Sequence, residues 1–558
     1  MVQFDDEKQK VALDALREHD EEEFLSKAAQ NRGIQYVNLA QSAVDLDALR
    51  LVSETDARKA GVVAFQMMDK KIDVAVLNPD ENATKIILDS LSAQGFIISL
   101  FLVSHKSLGR VLERYKELSA SVATKTGSFE ILDDQIETVL QKIKTTKDIQ
   151  KEISDVTQVQ GVSTTRVLEV LLGGALAIKA SDIHIEPAEN TIRLRFRLDG
   201  LLNEIMEIPR ELYNYLLSRI KLISGLHLNV KDKAQDGHFS IHAKKSEIEI
   251  RTSTLPGTYG ESIVLCVLDP DMISITMEQL GLEPHLQEIL EHTITKPNGL
   301  LLTTGPTGSG KTTTLYAFLR KVYTDKIKII TIEDPVEYHL DGIVQTQINP
   351  ARGYSFTEGL RSALRQDPDI IMVGEIRDNE AADIAINAAL TGHLVFSTLH
   401  TNNAAGTFPR LLSFGVNPKV LSSSVTVAMA QRLVRKLCDQ CKKQIPLSPA
   451  DRKIVDTVMR SVSQTEYISL PREKIYTAVG CDKCNGTGYR GRIGIFEAIV
   501  MDKGIEKAVL NNPSEREIQE AARNQKLLNM QQDGVVKILK GITSIDELSR
   551  VIDLQAEV

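Results

Sequence analysis

The run Gly305-Pro306-Thr307-Gly308-Ser309-Gly310-Lys311-Thr312-Thr313 has the residue types of a phosphate-binding loop. Its glycines let the backbone wrap a phosphate chain with N–H groups turned inward, and those donors add to the positive end of a following helix. In that frame Lys311 reaches the β- and γ-phosphates of ATP while the Thr312 hydroxyl ligates magnesium. The alternative is a glycine-rich turn that matches by chance. Context argues against it, because Gly-Leu-Leu-Leu-Thr-Thr precedes the loop and Thr-Thr-Leu-Tyr-Ala-Phe-Leu-Arg follows. Strand, loop and helix therefore come in the order that phosphate binding requires.

Two acidic segments lie downstream. Asp369-Ile-Ile-Met-Val-Gly-Glu375 is an apolar strand ending in a carboxylate, where a phosphate-transferring enzyme holds its metal and water. Glycine stands before Glu375 where many such enzymes have aspartate, so the strand is expected to hold magnesium indirectly. The second segment, Ile332-Glu333-Asp334-Pro335-Val336-Glu337, follows the apolar Ile-Lys-Ile-Ile-Thr-Ile and offers three carboxylates within five residues. One of them can orient or deprotonate a water. A solvated acidic turn is the plain alternative, and a second acidic strand end after the same loop weighs against it.

Four of the five cysteines form two C-x₂-C pairs, Cys438/Cys441 and Cys481/Cys484. That spacing lets four thiolates share a tetrahedral zinc with no open position, which makes a structural site. The 39 residues between the pairs become a metal-stapled insert, with Gly486, Gly488 and Gly491 forming the turn after it. Cys266 sits in a strand pattern and is expected in the core.

These groups must be positioned by several folded units, since 558 residues exceed one domain of roughly 100–200 residues. Residues 1–22 read as a leader and 23–118 as a small α/β unit, in which Ile72, Val74 and Val76 alternate, Asn78-Pro79 stops the strand and a helix begins at Asn82. Residues 119–160 hold a polar linker (Ser119 to Ser128) and one charged helix over 133–155. A second α/β unit spans 161–270, with strands at DIHIEP, IRLRFRLDG, HFSIHA, EIEIRTS and SIVLCVL around a helix near 210–225. Alternating strands and helices over 271–437 predict a mostly parallel sheet; 438–501 is the tetracysteine region and 502–558 is helical. The net charge of −9, with 5% aromatics and no tryptophan, gives no basic or stacking footprint for nucleic acid. The longest apolar runs are half the ~20 residues of a membrane-spanning helix, and the acidic start MVQFDDEKQK is no secretory signal, so a cytoplasmic protein without an integral membrane segment is expected.

Taken together, these residues resemble the secretion-ATPase superfamily, and within it the type IV pilus assembly and type II secretion ATPases. The resemblance rests on SDIHIEP (181–187), RFRLDG (195–200), QDG (235–237), STLP (253–256), GPTGSGKT (305–312), IEDPVE (332–337), LRQDPDIIMVGEIRD (364–378), TGHLVFSTLHTN (391–402) and QRLVRKLC (431–438). It implies an α/β multidomain chain: a RecA-like P-loop NTPase domain preceded by a PAS-like α/β domain and a small N-terminal α/β docking domain. By the same resemblance Glu337 is the general base, Glu375 the Walker B carboxylate, and His393 and His400 the histidine box. His400 is the better candidate for sensing the γ-phosphate, and for His393 a structural role weighs equally. Arg195 and Arg197 lie two apart, on one face of a strand, so both can reach one anion. In the family the second domain lends such arginines to ATP; Arg251 is a third candidate, and a plain basic strand face is the alternative. Ser262 and Cys266 stand where relatives often carry basic residues.

The resemblance further implies a homohexamer, peripherally associated with the inner membrane, that drives a polytopic platform protein and meets a membrane-associated docking protein. Its work would be assembly of a pilus or secretion pseudopilus, with DNA uptake, conjugative transfer and pilus retraction as rivals. The cysteines point to the assembly branch, since the shorter retraction enzymes generally lack them. The leucine-rich cyclic di-GMP element of some relatives, with its leading Arg-Leu-Gly, is not evident, and no such regulation is expected.

Overall fold

The computed structural model describes residues 34–39, 44, 46–49, 51–68, 71–93, 96–113, 115, 133–158, 164–243, 246–269, 275–462, 464–511 and 513–554, with isolated positions between 22 and 32. The expected linker at 119–128 and nearly all of the expected leader lie outside them. The chain divides into two compact units, Met1–Glu130 and Ile131–Val558.

In the first unit the alternating apolar run becomes β3 (Lys71–Val76), with Ile72, Val74 and Val76 buried. It lies parallel to β4 (Ile97–Leu102) and antiparallel to β2 (Val62–Met68), and β1 (Gln35–Tyr36) completes the order β1-β4-β3-β2. The helix Glu54–Ala60 starts where the Ser53 hydroxyl accepts the Asp56 N–H, and it stops at Gly61, whose φ of 61° a side chain would resist.

The second unit opens with two helices, Asp133–Lys142 and Thr146–Gln158, where the sequence predicts one over 133–155. A reciprocal cap breaks them apart. The Thr145 N–H donates to Asp148 Oδ2 at 2.8 Å while the Asp148 N–H faces the Thr145 hydroxyl at 3.3 Å, and the Lys144 N–H adds a third bond to the same carboxylate.

Then follows a six-stranded antiparallel sheet, β5 (Asp182–Pro187), β6 (Ile192–Leu198), β7 (Leu201–Ile208), β8 (Gln235–Ala243), β9 (Ser246–Gly257) and β10 (Gly260–Leu268), in the order β7-β6-β5-β10-β9-β8. One face is apolar through Leu194, Phe196, Ile263 and Leu265 and packs against the helix Thr164–Ala177. The other face is polar. Its register lines up Arg197, Asp182, Cys266, Arg251 and His238 across five strands. Cys266 therefore corrects its expected core position: strand alternation buries Ile263, Leu265 and Val267 and turns the thiol to the polar face, half-buried. Burial, reinforced by Asp182, pushes that thiol up to about 12. β7 was not anticipated, although Asp199-Gly200, both at positive φ, is the turn pair that closes a tight hairpin.

The third sheet has the order β13-β12-β14-β15-β11-β16-β19, built from β11 (Gly299–Thr304), β12 (Ile329–Glu333), β13 (Val344–Gln347), β14 (Ile370–Val373), β15 (Leu394–Leu399), β16 (Val425–Leu437) and β19 (Tyr489–Val500). All pairs are parallel except β16 with β19. β11, β12, β14 and β15 are buried along their whole lengths, as a parallel sheet covered on both faces requires. β19 comes from beyond Leu437, so the parallel sheet is completed by a strand that follows the cysteines. Between β16 and β19 lie a two-stranded ribbon, β17 (Lys443–Pro446) with β18 (Lys474–Thr477), and the helix Pro449–Met459.

The C-terminal helices Met530–Leu539 and Ile545–Val551 are tied back by buried charge. Asp533 accepts from the Phe496 N–H at 2.7 Å and from Lys537 at 2.5 Å, while the Arg435 side chain and backbone N–H both donate to Glu547. Burial alone would raise the Glu547 carboxyl; Arg550 and Arg435 outweigh it and hold the group below the ordinary carboxylate range.

Candidate active site and metal centre

β11, an interior strand between β15 and β16, delivers the phosphate loop, and the helix Lys311–Val322 leaves it from Gly310 at φ 90°. Gly305 and Gly310 are held against β16: a Cβ at either would stand 2.6 Å from the Gln431 carbonyl or 2.7 Å from its Nε2. Gln431 also accepts from Thr314 in the first turns of the helix at 2.8 Å. Sequence reasoning passed over Gln431 and Arg432, whose signal was their place in the run QRLVRKLC; together they form the floor of the loop. Gly308, at φ 76°, has open space where a side chain would be.

Lys311 donates to the carbonyls of Gly305 at 2.8 Å and Pro306 at 3.2 Å, so its ammonium lies over the loop it belongs to. Burial lowers its pKa, with Glu375 opposing and Arg432 assisting. The Ser309 hydroxyl is buried without a hydrogen-bond partner among the described residues. A buried donor without a partner beside a helix N-terminus and an ammonium is suited to phosphate oxygens. The residues present thus fit a magnesium–triphosphate group.

Glu375 follows β14 and carries two contacts: His400 Nε2 lies 3.1 Å from one oxygen, and Arg377 pairs with the other. Arg377 also reaches Asp334 at 3.4 Å, so one guanidinium joins the two acidic strand ends that the sequence singled out separately. Arg377 was not picked from sequence; only its place two residues after Glu375 could have suggested it. His393 makes a different contact, with Nδ1 3.1 Å from the Ala388 carbonyl at the end of the helix Asn379–Leu390 and its own carbonyl accepting the Gly299 N–H. It fastens a helix end to two strand starts.

The three carboxylates of the acidic box separate into three environments. Glu333 is 2% exposed, with Tyr316, Thr331 and Gln345 donating to it, and burial raises its pKa. Asp334 turns to Arg377. Glu337 is half-exposed and meets Arg251 of β9 at 3.1 Å, while the same guanidinium donates to the Val336 carbonyl at 2.6 Å. Arg195 and Arg197 behave otherwise: Arg195 pairs with Glu186, and Arg197 donates to Asp182 at 3.0 Å and lies 3.3 Å from His184. They share the polar sheet face with Arg251, but in this chain β5 carboxylates hold them. Of the three arginines, Arg251 is the one brought to the acidic box.

The four cysteines come together although 39 residues separate the pairs. All four Sγ atoms lie within 4.8 Å of one another, with Cys438–Cys481, Cys441–Cys484 and Cys481–Cys484 at 3.9, 3.8 and 3.7 Å. Four sulfurs at about 2.3 Å from one ion, tetrahedrally arranged, stand about 3.8 Å apart, so the cluster fits zinc. Burial works against the Cys484 thiolate, yet the N–H groups of Cys481 and Gly488 and the neighbouring thiols bring it down to about 7. Cys438 follows β16 directly and Cys484 lies shortly before β19, so the cluster closes one end of the antiparallel ribbon that carries Gln431 at its middle.

Among the described residues no helix is long and apolar enough to cross a membrane. Residues 158–550 match the family described as type II/IV secretion system protein, and residues 32–122 match the MshEN domain. The type II secretion system protein E of Aeromonas hydrophila is 43% identical over 386 residues, 69% of this chain and 75% of its own. The type IV pilus assembly ATPase PilB of Myxococcus xanthus is 36% identical over 546 residues, covering 96% of this chain and 92% of its own. The X-ray structure of the Legionella pneumophila ATPase DotB shares the fold, with a TM-score of 0.51 at 22% identity over 71% of this chain and 97% of that one. With a P-loop seated on a parallel sheet, two acidic strand ends beside it and a family match over most of its length, the chain belongs to the type II/IV secretion system family and is an ATPase of the secretion/pilus assembly class.

Proposed function

We propose that this ATPase powers assembly of a type IV pilus as a homohexameric ring, with Glu337 as the base that activates the attacking water. The observation that carries the reading is the Arg251–Glu337 contact, because it makes a residue of the antiparallel domain a partner of the catalytic loop. Domain closure on the nucleotide then alters the setting of the base, and chemistry is tied to movement. Magnesium bound through Thr312 would neutralise developing phosphate charge. Lys311 holds the phosphates; Glu375 orients water with His400, whose ring senses the γ-phosphate end. Arg195 and Arg197 supply positive charge to a nucleotide once their β5 carboxylates release them.

Pilus assembly is favoured over type II secretion because the alignment with the pilus protein covers 96% of the chain, against 69% and 84% for the type II secretion system protein E of Aeromonas hydrophila and the putative one of Escherichia coli. In this reading the ring lies in the cytoplasm against the inner membrane, the N-terminal unit meets a membrane-associated docking protein, and the ring moves a polytopic platform protein. Zinc at the four cysteines is structural.

The test is ATP turnover at rising protein concentration for the wild type and Glu337→Gln, with mass followed by light scattering. Turnover that climbs as hexamers form and drops by about 10² or more in the variant is expected. A concentration-independent rate overturns the ring, and a variant that still hydrolyses ATP overturns the choice of base.

A further inference from the structure

Glu333 carries no catalytic duty in the scheme above, yet it is a buried carboxylate at the end of β12 whose hydrogen-bond partners among the described residues include no cation. What surrounds it is informative. Tyr316, on the P-loop helix five residues after Lys311, donates its hydroxyl to Glu333; its ring is fully buried. Gln345 of β13 places its amide nitrogen 3.2 Å from the same carboxylate, 3.3 Å from the Tyr316 oxygen and 3.1 Å from the Tyr338 carbonyl. Its amide oxygen accepts the Leu340 N–H at 2.6 Å. The Tyr316 and Tyr338 rings meet edge to face at 4.5 Å, and Gln347 accepts the Val336 N–H at 3.3 Å. The backbone on both sides of Glu337 is therefore fastened from below, at Val336 by one glutamine and at Tyr338 and Leu340 by another.

We infer that Tyr316 is a positioning residue for Glu337: through Glu333 and Gln345 it ties the phosphate-binding helix to the loop that carries the base. Lys311 and Tyr316 sit on one rigid helix, so a shift of that helix on phosphate binding moves the anchor of residues 336–340 with it. Loss of the Tyr316 hydroxyl leaves the anchor without its link to the helix, while the ring and its packing remain. A misplacement of the base by a fraction of an ångström lowers the chemical rate without altering ground-state binding of ATP.

This inference rests on the proposal that Glu337 is the base, and the test separates the two. Steady-state turnover is measured on the full chain for Tyr316→Phe, Gln345→Leu, Glu337→Gln and the double variant Tyr316→Phe/Glu337→Gln, with melting temperatures in parallel. Tyr316→Phe and Gln345→Leu each lower kcat roughly ten- to a hundredfold with the KM for ATP within about twofold. In the Glu337→Gln background Tyr316→Phe has no further effect on the residual rate, because both changes act through one group. Wild-type kcat in Tyr316→Phe, or an equal loss in both backgrounds, overturns the positioning role alone. Wild-type turnover in Glu337→Gln overturns the base assignment and the positioning role together.

Discussion

At the scale of single residues, the acidic box shows how neighbours in sequence take separate tasks. Glu333, Asp334 and Glu337 face a hydroxyl-and-amide cage, Arg377 and Arg251 respectively. The Arg251–Glu337 pair is partly exposed, and such pairs contribute about 0–1 kcal/mol to stability. A large loss of turnover on its removal therefore cannot come from unfolding. Arg251→Ala is expected to lower kcat by about 10²-fold with a melting temperature within a few degrees of wild type; a loss confined to Arg195→Ala and Arg197→Ala, with Arg251→Ala at wild-type rate, would reverse the ranking of the three. That two acidic segments follow apolar strands was legible in the sequence, whereas the choice of Glu337 among three carboxylates came from the family resemblance and not from its position. Arg251 ranked below Arg195 and Arg197 because its partner lies 86 positions away, in a loop beside a different sheet, and only the packing of the antiparallel domain against that loop brings the two together. Arg377 was hidden for a similar reason, since Asp334 is 43 positions from it.

Local chemistry decides the elements as well. The stop between the helices Asp133–Lys142 and Thr146–Gln158 depends on one carboxylate, whose pKa is lowered first by the Lys144 N–H, against burial, and further by Thr145. A carboxyl lowered by folding contributes stability above its ordinary range and loses it as pH falls through the lowered value. Amide exchange over residues 144–150 should accordingly quicken as pH falls through that range beyond the intrinsic rate, and Asp148→Ala should quicken it at neutral pH, by the ~1 kcal/mol typical of a lost cap. If the variant exchanges like wild type, the cap does not hold this boundary. The reciprocal Thr145–Asp148 cap was written in the sequence as Thr-x-x-Asp, and the hairpin before β7 as Asp-Gly; helical periodicity over 133–155 and the weak alternation of LLNEIMEI concealed both. β3, β5, β6, β11 and the phosphate loop were readable because strong alternation or glycine spacing needs no distant partner.

For the molecule as a whole, the two larger sheets of the second unit and the cysteine cluster are joined by hydrogen bonds within one compact unit. The Thr146 N–H donates to Asn485 at 3.0 Å, inside the knuckle of the second cysteine pair, and the Gly491 N–H donates to Asp199 at 2.9 Å in the β6–β7 turn. The helix Thr146–Gln158 and the antiparallel domain are thus both fastened to the cysteine end of the β16–β19 ribbon. Removing the ion with a chelator should release these contacts. Faster proteolysis near Thr146, lower turnover and recovery of both on adding zinc are expected; a chelated protein with unchanged cleavage and rate would make the cluster irrelevant to the ribbon. The parallel sheet and the cysteine pairs could be anticipated from sequence. The placing of β19 could not, because antiparallel return to β16 follows an insert whose length carries no information on where the chain comes back.

The closeness of the four sulfurs bears on how such a site is inherited. Four thiolates that converge on one point serve one ion jointly, so a substitution of Cys441 weakens in one step the selective reason for keeping Cys438, Cys481 and Cys484. The four should therefore persist or vanish as a single character among descendants of this chain. Where they vanish, the ribbon end must be closed by apolar packing or shortened, and a lineage with two or three cysteines left would mark a loss still in progress.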